Sequence, residues 1–194
     1  LIANMSNEIN SFSDKILVEK VLGGNTHAFS IIVKNTERLV AQIVRKMIVN
    51  EEDQKDLVQD IYYKAYQKIS SFKFQSKLST WIGTIAYHTA LNYLEKKRIA
   101  LVDIDSGHEN KFVHYENSEK EMHKDETVQI LNNEINKLPP LYKTLISLYH
   151  IEELPNKEIA EITGLPEGTI KSYLYRARKI LKDNIVSNYK EQFI

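Results

Sequence analysis

Leu154-Pro-Asn-Lys-Glu-Ile-Ala-Glu-Ile-Thr-Gly-Leu-Pro-Glu-Gly-Thr-Ile-Lys-Ser-Tyr-Leu-Tyr-Arg-Ala-Arg-Lys179 reads as a helix, a tight turn and a second helix with a basic face. Ala160 is small enough to let a second helix approach its backbone. Gly164 can adopt the positive φ of a sharp helix exit. Ile170 falls where it can plug the angle between the two helices. This order of small residue, glycine and apolar plug is the helix-turn-helix arrangement, whose second helix enters the major groove of duplex DNA.

The second helix sorts by face. Ile170, Leu174, Ala177 and Leu181 are spaced by four, three and four and share one stripe. Lys171, Ser172, Tyr173, Tyr175, Arg176, Arg178 and Lys179 lie mostly off it and are the candidate DNA contacts. Pro166 to Lys182 holds five Lys or Arg and one Glu, a net of +4. The amino end of such a helix faces base edges, and later basic residues reach phosphates. An ordinary amphipathic helix with a solvated basic face is the alternative.

The 194-residue chain suits one large or two small domains. Its net charge is zero, but charge is segregated. Asp103 to Glu126 holds eight carboxylates and three lysines, a net of −5, against the basic helix. Neutral totals therefore do not argue against nucleic-acid binding. The absence of cysteine excludes disulfides and thiolate chemistry and fits a reducing cytosol. No membrane-length apolar run or secretory leader is read, so a cytoplasmic protein without membrane insertion is expected.

Periodicity predicts an all-α fold. Asp14 to Leu22 reads as a short helix stopped by Gly23-Gly24. Thr26 is the expected cap of a long helix with Phe29, Ile32, Val33, Leu39, Val40, Ile43, Val44 and Met47 inward. A third helix is expected from about Asp53 to Ile69, burying Leu57, Val58, Ile61, Ala65 and Tyr66. A fourth is expected from Ser79 to Arg98. Residues 100–124 lose apolar periodicity and read as a flexible acidic linker. The domains are thus expected at 12–99 and 125–188. All four prolines fall in the second, each before a helical pattern.

In the first domain, Asp56, Gln59 and Asp60 form one polar face open to a basic partner. The acidic turn before them equally complements a helix dipole. Aromatics Phe72, Phe74, Trp81, Tyr87 and Tyr93 interleave with Lys73 and Lys77, and the run ends in Lys96-Lys97-Arg98. Such a mixture suits single-stranded DNA, because rings stack on unpaired bases. Core packing is the competing account. Trp81 and Tyr93 are expected inside, whereas Phe74 and Tyr87 are the better exposed candidates.

Four stretches in order resemble a bacterial RNA polymerase sigma factor of the extracytoplasmic-function (ECF) branch of the sigma-70 family. They are Asp56-Leu-Val-Gln-Asp-Ile-Tyr-Tyr-Lys-Ala-Tyr66, Ser79-Thr-Trp-Ile-Gly-Thr-Ile-Ala-Tyr-His-Thr-Ala-Leu-Asn-Tyr-Leu94, Leu138-Pro-Pro-Leu-Tyr-Lys-Thr-Leu145, and the helix-turn-helix itself. The resemblance implies a sigma-two-like and a sigma-four-like domain directing promoter-specific transcription initiation. It implies that Asp56, Gln59 and Asp60 dock on the beta-prime clamp helices of core polymerase, with a further contact to the beta flap. Phe74, Lys77, Ser79, Tyr87, His88, Lys96, Lys97 and Arg98 would open and read the minus-ten element. Lys171, Ser172, Tyr173, Tyr175, Arg176, Arg178 and Lys179 would read the minus-thirty-five element. An anti-sigma factor is an implied partner; no catalytic residue, metal or cofactor is implied. The chain departs from the pattern at His88 (usually Asn), Asn92 (commonly Asp), Phe74-Gln75 (often a glycine before the loop acid) and Tyr173 (commonly Arg).

Two other readings compete. A stand-alone helix-turn-helix regulator accounts for the second domain and leaves the first without a task. A metal hydrolase would need paired ligands, but His27, His88, His108, His114, His123 and His150 are scattered.

Overall fold

A computed structural model describes the backbone over residues 13–104 and 126–189, and side chains over 13–97 and 127–189. Among the described residues there is no strand. The first half holds α1 (residues 13–22), α2 (Thr26–Met47), α3 (Glu51–Lys68), a 3-10 turn (Ile69–Ser71) and α4 (Leu78–Ile104). The second holds α5 (Glu126–Asn136), α6 (Pro140–His150), α7 (Asn156–Thr163) and α8 (Glu167–Tyr189).

Local chemistry explains the helix ends. The cap of α2 is Asn25, not Thr26: the Asn25 carbonyl oxygen accepts from Ala28 N–H at 3.1 Å, and Thr26 is already helical. Asn50 does the same for Asp53 N–H at 2.9 Å, so α3 starts at Glu51, earlier than expected. Its first turn carries Glu51, Glu52 and Asp53, which complement the amino end of the helix. The first N–H of α4 is satisfied from outside, by Asp14 of α1 at 2.9 Å. Burial raises the Asp14 pKa, while that hydrogen bond and nearby Lys77 oppose the rise. At its far end α4 continues to Ile104, five residues past the boundary expected at 99. The run Ile99-Ala-Leu-Val-Asp-Ile104 holds no glycine or proline that would stop the helix. Residues 105–124, the rest of the expected linker, and Asp125 lie outside the described residues.

Within the first half, the inward faces of α2, α3 and α4 meet through Ile32, Val40, Ile43, Ile61, Ala65, Ile82 and Ala86. Phe29, Val33 and Val58 are only partly buried, and Tyr66 is exposed, its ring edge-on to Phe29 at 5.0 Å. Polar ties pin α3 to α4. The Tyr93 hydroxyl donates to Asp53, and the Lys97 ammonium lies 3.4 Å from Asp53 and 3.2 Å from the Tyr93 oxygen. The Tyr93 hydrogen bond holds Asp53 below its ordinary pKa. Burial and then Asp53 push Tyr93 up, and Tyr93 and then Asp53 push Lys97 up.

In the second half, Pro139 precedes α6, Pro140 opens it and Pro155 precedes α7, positions where a missing N–H leaves nothing unsatisfied. The turn between α7 and α8 is Gly164 at φ +72°, whose N–H returns to the Ala160 carbonyl at 2.8 Å. Ile170, Leu174, Ala177 and Leu181 are all buried, as their spacing requires. The fully buried Glu134 of α5 takes Lys137 at 2.7 Å and the Tyr189 hydroxyl of α8 at 3.2 Å. Burial would raise the Glu134 pKa, but these partners hold it below its ordinary value.

The two halves are closed on each other. α6 packs on α2, where the Gln42 amide donates to Ser147 at 2.6 Å. Arg38 reaches Glu152 at 3.1 Å and the Ile151 carbonyl at 2.9 Å. α7 packs on α4, where a Cβ at Gly83 would sit 3.2 Å from Ile162 and 3.3 Å from Leu39. One seam residue resists closure: burial and the neighbouring Lys46 lower the Lys143 pKa.

Two outcomes are expected. Gly164→Ala meets open space, so its penalty is the left-handed backbone alone, about 1–2 kcal/mol. Urea unfolding checks this as a lower midpoint at unchanged slope, with Gly164→Asn losing less. Tyr93→Phe removes the α3–α4 tie. The depressed Asp53 stabilises above the unfolded carboxylate value and loses its contribution as pH falls through its folded pKa. The raised Tyr93 and Lys97 stabilise below their unfolded values and lose their contribution as pH rises through their folded ones. The gap in urea midpoint between wild type and Tyr93→Phe is therefore flat between about pH 4 and 10 and narrows outside that window.

Candidate nucleic-acid interface

The buried stripe of α8 turns the opposite face outward. Lys171, Ser172, Tyr175, Arg176, Arg178 and Lys179 are all exposed, Tyr175 at 66%. Tyr173 differs: it is half-buried, its ring 5.6 Å from that of Tyr142, so packing against α6 takes much of its surface. The amino end of α8 follows directly from the Gly164 turn, and Ile170 N–H bonds to the Pro166 carbonyl at 3.0 Å. Side chains of the first two turns therefore project from a fixed point. This is the geometry of a helix able to enter a major groove.

The loop from Phe72 to Lys77 presents a second surface. Phe72 is buried and holds Phe74 on one side at 4.7 Å and Trp81 on the other at 5.4 Å between ring centroids. Phe74 is 42% exposed and sits at φ +57°. A bulky residue in this left-handed region is unusual and costs about 1–2 kcal/mol. It coincides with the position where the family resemblance expects a glycine, which takes that conformation freely. The turn is retained and an aromatic ring stands on it.

The other candidates are divided. His88 and Lys96 are exposed. Lys97 is exposed but tied to Asp53. Tyr87 is not the exposed ring expected from the sequence: it is 5% exposed, and burial raises its pKa. Its ring is edge-on to that of its neighbour His88 at 5.5 Å. The Arg98 side chain lies outside the described residues. Lys77 and Ser79 are half-buried; Ser79 lies near α1 and α2, and Lys77 is paired to Glu158 of α7 at 2.6 Å. Sequence reasoning missed this contact, which joins residues 81 positions apart. Gly83, a glycine inside a helical pattern, was the one local sign that another helix approaches there.

On α3, Asp56 and Gln59 are exposed, and Asp60 pairs with Lys64 at 2.6 Å. Sequence reasoning overlooked Tyr63, which continues the spacing of Asp56, Gln59 and Asp60 on one face and is 62% exposed. No group of three or more His, Cys, Asp or Glu able to hold a metal occurs among the described residues.

Comparisons with known proteins converge. The model of sigma-70 region 2 matches residues 32–99, and that of sigma-70 region 4 matches residues 129–181. The chain is 35% identical to an ECF RNA polymerase sigma-E factor of Haemophilus influenzae, over 89% of this chain and 95% of the relative. It is 32% identical to the sigma-E factor of Escherichia coli K12, over 89% and 94%. The fold matches the sigma factor RpoE of Bartonella quintana, solved with the anti-sigma factor NepR, at a TM-score of 0.63 and 24% identity, covering 82% of this chain and 98% of that one. It matches CnrH, solved with the cytosolic domain of CnrY, at a TM-score of 0.63 and 21% identity, covering 91% and 99%. Regions 2 and 4 fall on the two helical halves, and the helix-turn-helix lies inside the second match. The chain belongs to the ECF branch of the sigma-70 family of bacterial RNA polymerase sigma factors.

Proposed function

We propose that this chain works as a promoter-specificity subunit through two separate DNA surfaces. The observation that carries the reading is the outward basic face of α8, held by a wholly buried apolar stripe, on a chain of this family. Lys171, Ser172, Tyr175 and Arg176 contact bases of the minus-thirty-five element, with Arg178 and Lys179 on phosphates and Tyr173 in a supporting place. Phe74, His88, Lys77 and Ser79 receive the minus-ten element as it opens. Lys96, Lys97 and Arg98 follow the backbone. Unstacking a base costs a few kcal/mol, and a ring already presented by Phe74 offsets part of it.

Asp56, Gln59, Asp60 and, on this geometry, Tyr63 dock on the beta-prime clamp helices, with a second contact at the beta flap. Tyrosine is among the residues that most often anchor a protein–protein interface. The chain makes and breaks no bond itself, and it acts in the cytoplasm, where polymerase and promoter meet. Sigma factors of the same fold have been solved with anti-sigma factors, which supports an anti-sigma factor as regulator here.

Run-off transcription with core polymerase on genomic fragments is the test. Promoter-specific initiation supports the reading, and operator binding without any effect on polymerase rejects it. Arg176→Ala is expected to weaken binding to the identified promoter by about 1–3 kcal/mol, the range for one bidentate base contact. Titrated transcription reads this as a shift to higher protein concentration, and an unshifted curve removes Arg176 from the interface.

A further inference from the structure

Glu158 opens the first helix of the helix-turn-helix, yet both its oxygens are held by the other half of the molecule. Oε1 takes the Lys77 ammonium at 2.6 Å, and Oε2 takes the Thr80 hydroxyl at 3.1 Å. The Glu158 side chain is left only 16% exposed. One turn along, the Thr84 hydroxyl donates to the Glu161 carbonyl at 3.2 Å. Between them Ile162 rests on the bare backbone of Gly83. Charge, hydroxyls and close packing thus fasten α7 along successive turns of α4.

We propose that this seam is an autoinhibitory clasp, in which the Glu158 carboxylate occupies Lys77 and Thr80 where promoter DNA would otherwise place a phosphate. The inference rests on the sigma-factor reading above. A lysine paired to a carboxylate at this distance has its charge already balanced, so a phosphate must compete for it. The carboxylate is also tethered, so it competes at the high effective concentration of an intramolecular partner. Thr80, bonded to the same carboxylate, is buried, so this hydroxyl of the first turn of α4 is shielded together with the lysine.

Distance makes the closed form incompatible with initiation. The two promoter elements are centred about 25 base pairs apart, or about 85 Å along B-form DNA at 3.4 Å per step. In the closed chain only the short α7 separates α4 from the recognition helix, and packed helices run about 8–10 Å apart. The chain must therefore part at this seam to hold both elements. The outward face of α8 stays free throughout, so closure blocks opening of the minus-ten element and not duplex recognition.

The chain has no cysteine, so Thr84→Cys/Glu161→Cys places two unique thiols across the seam. A short cross-linker with a reducible disulfide joins them in the full chain. The cross-linked chain is expected to lose run-off transcription and binding to the non-template minus-ten oligonucleotide. It is expected to keep binding to minus-thirty-five duplex, and reduction restores the lost activities. Independently, Glu158→Gln in the uncrosslinked chain is expected to bind the oligonucleotide about fivefold more tightly, the effect of removing one partly buried ion pair. A cross-linked chain that initiates normally, thiols that fail to cross-link in the free protein, or an unchanged oligonucleotide affinity for Glu158→Gln would each overturn the clasp. Failure of the wild-type chain to initiate with core polymerase would overturn the sigma-factor reading instead.

Discussion

The structure turns on α4 being buried from two sides. One side supplies Ile82, Ala86 and Ala90 to the core of the first half. The other is bare at Gly83, and α7 comes close enough that even one added carbon would press on Ile162. A helix packed on two sides has little surface left for solvent, so its small residues become as consequential as its large ones. The loop that precedes α4 inherits this rigidity. Asp14 holds the first N–H of α4 just past its end, Phe72 anchors its start, and Phe74 is left as a ring on a strained turn.

Much of the fold was legible because helical periodicity is a local signal. The stripe of Ile170, Leu174, Ala177 and Leu181, the left-handed Gly164 and the prolines before α6, α7 and α8 follow from spacing and backbone sterics alone. Helix ends were less legible. Thr26 and Asn25 are both good capping residues, and only the geometry chooses Asn25. α4 outran its expected end because Ile99-Ala-Leu-Val-Asp-Ile104 contains no glycine or proline to stop a helix.

The site was legible where it depends on one helix and illegible where it depends on two. The exposed basic face of α8 needed nothing but periodicity. Tyr87 and Lys77 look equally available in the sequence, yet one is buried in the core and the other is held by Glu158. The pairing of Lys77 crosses 81 positions of chain and leaves no periodic trace. Tyr63 was passed over for a different reason: an aromatic in a helix is normally assigned to the core, and its place on the outer face shows only once Leu57, Ile61 and Ala65 define the inner one.

The end of α4 at Ile104 and the start of α5 at Glu126 also set a limit on reach. The 21 residues from 105 to 125 can span at most about 75 Å when drawn straight. Once the seam parts, that length is a covalent leash on how far the two DNA surfaces can travel. Shortening it would penalise widely spaced start sites before narrow ones, so promoter spacing becomes a property written partly into the length of a connecting segment.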